Sequence, residues 1–189
     1  MSLRGGATVY DCRMFEVDLS IETLMLADYF RWLFPAEAAD GPSRITITHP
    51  TGALMTALAQ PAALRVQPDG ANILHCQLPQ LHRRGNFDQE NHWLFYDQSS
   101  TRKINLALRA EFDLEFAGYY RRGEQLGMRK MDIIDAFIFS RGLAPENFDA
   151  LSKRTYRAQV RDQERIRKKL LRRSYYIDES IDYTGLFDK

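Results

Sequence analysis

The sequence predicts an α+β chain: a body with a mostly antiparallel sheet and two or three helices, followed by a helical C-terminal region. Short stretches of the first 120 residues alternate apolar and polar residues, the period of a half-buried strand, while other stretches repeat every three or four residues. Beyond residue 120, between a connector at 121–127 and a tail from 174, the spacing is helical. A length of 189 residues, 44% hydrophobic and 27% charged, suits one packed domain with an appendage and argues against wholesale disorder. The boundaries that follow are an α+β body over 1–120, a basic helical region over 121–173 and an acidic, aromatic tail over 174–189.

Taken in order, ATVYDCRMFEVDL (7–19) places Val9, Phe15, Val17 and Leu19 near a period of two and predicts an extended segment. Ser20 offers an N-cap, and Ile21, Leu24, Met25, Tyr29 and Leu33 predict a helix over 21–34 that Pro35 stops. RITITHP (44–50) alternates and is rich in β-branched residues, so a strand is expected. TGALMTALAQ (51–60) suits a short helix closed by Pro61. In 64–78, Pro68-Asp69-Gly70 separates two apolar runs and predicts a hairpin. HWLFYD (92–97) predicts another strand.

The segment 103–120 satisfies two periods at once. Ile104, Leu106, Leu108, Ala110, Phe112, Leu114 and Phe116 alternate without a miss, yet Ile104, Leu108, Phe112 and Phe116 also step by four. The unbroken alternation favours a long strand. RRGEQLG (121–127) then predicts a connector, and 128–143 a helix with Met131, Ile134, Phe137 and Ile138 on one face and Gly142 as its stop. A second helix begins at Pro145, with Glu146 and Asp149 in its first turn. Two helices joined by a short glycine-bearing turn form a helix-turn-helix-like pair.

The sharpest functional feature is KRTYRAQVRDQERIRKKLLRR, 153–173, with ten Lys or Arg against two acids and a net charge of +8. On a helix, Arg154, Arg157, Arg161, Arg165, Lys168 and Arg172 fall within an arc of about 80°. Tyr156, Val160, Ile166, Leu170 and Leu171 occupy about 140° almost opposite, an apolar seam suited to packing on the body. A guanidinium fork matches phosphate geometry, and unrelieved like charges at spacings of three and four favour a polyanionic partner. Nucleic acid, DNA or RNA, is therefore the expected partner through 153–173. In helix-turn-helix geometry Asn147, Ser152, Lys153, Tyr156 and the first arginines would lie nearest the bases, and Arg129, Lys130 and Arg141 on the preceding helix would hold phosphates. Tyr119, Tyr120, Arg121 and Arg122 form an aromatic-basic quartet that could stack on bases.

Other classes are weaker. The basic helix could instead meet an acidic protein, as in an assembly component or inhibitor, and the tail SYYIDESIDYTGLFDK, net −3, could dock on a protein partner, mask the basic helix or pack in the core. Asp88, Glu90 and Asp97 cluster around HWLFYD, and a metal-dependent nuclease would need such carboxylates to hold a divalent ion. The spacing of His75, Cys76, His82 and His92 matches no zinc motif, and His75 and Cys76 would face opposite sides of a strand. No phosphate-cradling glycine loop is present, so neither cofactor nor metal is expected and the chain is read as non-enzymatic. No apolar run spans a membrane, no secretory leader precedes the first strand, and two cysteines suit a cytoplasmic setting.

Overall fold

The computed structural model describes residues 15–38, 41–79 and 93–174, without the side chains of 159 and 170–174. Cys12, Asp88, Glu90, His82, His92 and the tail after Ser174 lie outside these residues. The elements in order are β1 (Glu16–Ile21), α1 (Leu24–Leu33), β2 (Ser43–Arg44), α2 (Pro50–Leu58), β3 (Gln60–Ala62), β4 (Asn72–Gln77), β5 (Trp93–Phe95), α3 (Gln98–Gln125), α4 (Lys130–Ser140), a 3₁₀ turn at Pro145–Asn147 and α5 (Phe148–Ser174). The fold is α+β, as the alternating and helical spacings imply. The chain divides into two compact units, Met1–Pro145 and Glu146–Lys189.

In the first unit β4 is the centre of a three-stranded sheet, antiparallel to β1 and parallel to β2, while β3 and β5 form a separate antiparallel pair. The sheet is thus small and mixed. Period two decides its faces: Val17, Leu19 and Ile21 are buried, and Glu16, Asp18 and Ser20 point the other way. The register sets Val17 opposite Cys76 and Leu19 opposite Leu74, so the apolar faces coincide.

Several local expectations give way to this pairing. Ser20 belongs to β1; the N-cap of α1 is Thr23, whose hydroxyl accepts from Leu26 N–H at 3.3 Å. The strand expected over 44–50 shrinks to Ser43–Arg44, because Pro50 takes the first helical position of α2, where a missing N–H costs nothing. Within 64–78 only the second run is a strand. Gly70 adopts the positive φ of 142° that a turn needs, but β4 pairs with β1, and Leu64 and Val66 stay exposed.

The largest departure is 103–120, which is not a strand but the middle of the 28-residue helix α3. Its four-step residues Ile104, Leu108, Phe112, Phe116 and Tyr120 are buried, whereas Leu106 and Leu114 are 51% and 77% exposed. A strand would have buried all of them on one face. Asp97 starts the helix by accepting from Ser100 N–H at 2.7 Å. The helix runs on into the expected connector as far as Gln125 and is closed by Gly127, φ 72°, beyond which Met128 N–H reaches back to Gly123 O at 3.0 Å. α4 closes the same way: Gly142 sits at φ 60° and Leu143 N–H bonds Ile138 O at 3.0 Å.

α3 is the axis of the first unit, packing on β1, α1, α2 and α4. Phe112 meets Tyr29 and Phe137 edge-on at centroid separations of 5.0 and 5.8 Å. α4 approaches closely at Gly123, where a Cβ would stand 2.6 Å from Ile133 Cγ1.

Candidate nucleic-acid interface

The second unit is built on α5, helical from Phe148 to Ser174. Its sequence has the means to be one long helix: no glycine or proline from Phe148 to Ser174, and mainly Ala, Leu, Arg, Lys, Gln and Glu in its interior. The stripe of cations therefore exists as a physical row on one helix. Lys153, Arg157, Arg161, Arg165 and Lys168 are exposed, Arg154 is half-buried, and the Arg172 side chain lies outside the described residues. Arg161 Nε donates to Arg157 O at 3.3 Å, one turn back along the helix. Among the described residues no ion pair engages Arg157, Arg161, Arg165 or Lys168.

The apolar seam differs from expectation. Tyr156 is 69% exposed and Ile166 57% exposed, with only Val160 half-buried, so this face is open to solvent along most of its described length. A helix this highly charged does not need tertiary burial at every turn, since its propensity and length support it.

Two of the basic residues expected to assist from the preceding helix, Arg129 and Arg141, are paired with acids of the first unit. Arg129 stands at the N-cap of α4 and forks onto Asp132 with bonds of 2.8 and 3.0 Å, holding the Asp132 carboxyl below its usual range. Arg141 pairs with Glu115 at 2.6 Å and lies 4.2 Å above the Trp32 ring, with Tyr119 and Phe137 also within cation–π reach. Lys130 is exposed on the first turn of α4. The Tyr119–Arg122 quartet splits: Tyr120 is buried in the core, Tyr119 packs edge-on to Phe137 at 5.3 Å, and Arg121 and Arg122 are exposed. Asp97 is committed to capping α3, and its bonds to Ser100 hold its carboxyl below the usual range.

Three polar constellations escaped the linear sequence. His75 sits between two carboxylates, Nδ1 at 2.6 Å from Asp18 and Nε2 at 3.1 Å from Glu16, while Arg65 reaches Asp18 at 2.9 Å and lies over Trp93. Burial opposes ionisation of Asp18, but the bonds from His75 and Arg65 outweigh it and lower its pKa. Glu111 joins Thr51 and His49, each at 2.7 Å. Glu115 accepts from the Tyr29 hydroxyl, which burial first and this carboxylate second push up in pKa. The signal for the first lay in the alternation of Glu16, Asp18 and His75 on strands; the other two required α3 to be a helix. His75 and Cys76 do face opposite sides of β4, and the buried Cys76 thiol is pushed up by desolvation.

Among the described residues no cluster of three His, Cys, Asp or Glu is placed to hold a metal ion, and no helix is long and apolar enough to cross a membrane. No family model, curated protein or solved structure matches the chain.

Proposed function

We propose that this chain is a non-enzymatic nucleic-acid-binding protein whose second unit grips phosphates through α5, in a cytoplasmic setting. One observation carries the reading: Arg157, Arg161, Arg165 and Lys168 form an exposed row on one helix and pair with no acid among the described residues. Adjacent members, about 5–6 Å apart, repel one another. Phosphates spaced along a strand relieve that repulsion and accept bidentate guanidinium bonds. Lys153 and Arg154 extend the row toward its N-terminal end and Arg172 continues it in sequence, Tyr156 lies on the neighbouring apolar seam, and Arg129 and Lys130 belong to the first unit.

Binding of this kind releases counterions, so affinity falls steeply with salt. Fluorescence anisotropy with labelled DNA and RNA, from low to physiological salt, should show that fall; a flat salt response, or no binding at low salt, overturns the proposal. Replacing Arg157, Arg161 and Arg165 with glutamate should abolish binding while circular dichroism stays native. The open apolar positions Tyr156 and Ile166 favour one rival, an assembly component whose α5 meets an acidic protein. That rival predicts purified protein free of nucleic acid and a stoichiometric protein complex.

A further inference from the structure

The charge on α5 changes shape along its length. From Lys153 to Arg161 the cations occupy about 100° of the helix circumference, a one-sided row. From Arg165 to Lys169 four cations occupy about 200°: Arg165 and Lys168 continue the row, and Arg167 and Lys169 stand about 100° to either side of Lys168. The acids Asp162 and Glu164 precede this collar, Glu164 on the row face one turn before Lys168, and among the described residues neither forms an ion pair with its cations. Exposure follows the same division. Ser152, Arg154 and Thr155 are half-buried, whereas every residue from Arg161 to Lys169 is exposed, a stretch of about two and a half turns with no covered face.

A helix lying on a flat line of phosphates needs cations on one side only. A helix seated in a groove meets three surfaces, a floor and two walls. The B-form major groove is about 12 Å wide, the diameter of an α-helix with its side chains, and its walls are the two sugar-phosphate strands. The A-form major groove of duplex RNA is too deep and narrow to admit one, and a single strand has no second wall. We propose that the collar seats the C-terminal half of α5 in the major groove of B-form duplex DNA. Arg167 and Lys169 each meet one phosphate wall, Arg165 and Lys168 face the floor, and Ile166 faces out. Arg165 is then positioned to bond the O6 and N7 of a guanine, the pairing its fork fits. This inference rests on the phosphate-contact reading above and names its ligand; it also moves the groove-entering part from the N-terminal residues, favoured by helix-turn-helix analogy, to residues 165–169.

The test uses the full chain and three labelled ligands of one sequence: duplex DNA of about two helical turns, the corresponding duplex RNA and one DNA strand. Affinity for duplex DNA should exceed that for the other two by at least roughly tenfold at about 0.1 M salt. The double variant Arg167→Gln, Lys169→Gln should lose about tenfold on duplex DNA and reduce the salt slope by about two. Guanine N7 in the bound duplex should resist dimethyl sulfate, a readout on the unmodified chain that does not depend on how the variant folds. Equal affinity for all three ligands, or fully reactive N7 with an unaffected double variant, overturns groove insertion and leaves phosphate contact standing. Absence of binding to every ligand at low salt overturns both.

Discussion

Individual side chains explain where the elements of the first unit begin, meet and titrate. Asp18, Asp97 and Asp132 all have carboxyls held below the usual range by specific partners: His75 and Arg65, Ser100, and Arg129. A carboxyl whose folded pKa is depressed stabilises fully at neutral pH and loses that contribution as pH falls through the folded value, below about 4. The thermal midpoint should therefore drop on acidification through that window. Asp18→Asn should cost about 1 kcal/mol at pH 7, allowing for solvent screening, and flatten the acid limb; an unchanged limb in thermal melts from pH 5 to 3 would exclude Asp18 as a contributor. Gly123 acts through space alone. A methyl there meets Ile133 at 2.6 to 3.0 Å, so Gly123→Ala should force α3 and α4 apart and cost about 1–3 kcal/mol in urea unfolding. Gly118, on the same helix, has nothing within 4 Å, and Gly118→Ala should be neutral or stabilising.

Elements were legible where one signal acted alone and were misread where two competed. α1, α2, α4, β1 and β5 follow from spacing and from punctuation by Pro35, Pro61 and Gly142. In 103–120 both periods fit, and a strict alternation arises by chance when a four-step apolar stripe is interleaved with Leu106, Ala110 and Leu114, residues that favour helix even when exposed. The deciding signals lay outside the segment: an Asp97 cap, and no proline from 98 onward before Pro145. The hairpin at 64–78 failed for a different reason, since Gly70 makes its turn but β1 offers β4 a better apolar match than 64–67 does. α5 was legible because propensity, length and charge stripe agree; the partner of its seam was not, because nothing local says whether an apolar stripe is covered. If α3 is the organising helix, Phe112→Ala, which removes a buried ring contacting Tyr29 and Phe137, should cost about 3–5 kcal/mol, whereas Leu114→Ala should cost almost nothing. Comparable losses from the two in chemical denaturation would contradict the four-step core.

At the scale of the whole molecule, the two units should answer salt in opposite ways. A net charge of +1 conceals a body rich in paired charges and a helix whose row of like charges is relieved by few acids. Along α5, Arg154–Arg157, Arg157–Arg161, Arg161–Arg165 and Arg165–Lys168 are neighbours at spacings of three or four, together costing about 1–2 kcal/mol of helix stability at low ionic strength. The Debye length shrinks from about 30 Å at 0.01 M to about 3 Å at 1 M, below the spacing of these charges, so added salt removes most of that cost. In the first unit, by contrast, salt screens pairs that attract, such as Arg65–Asp18, Arg141–Glu115 and Arg129–Asp132. Hydrogen exchange measured in two salt concentrations should show amides of 153–168 becoming better protected as salt rises, while those of the first unit change little or weaken. Duplex DNA at low salt should mimic the high-salt protection of α5, because phosphates replace the screening ions. Protection of α5 that falls with salt in the absence of nucleic acid would mean that its cations are already paired with acids of this chain, and would identify an intramolecular partner for the stripe.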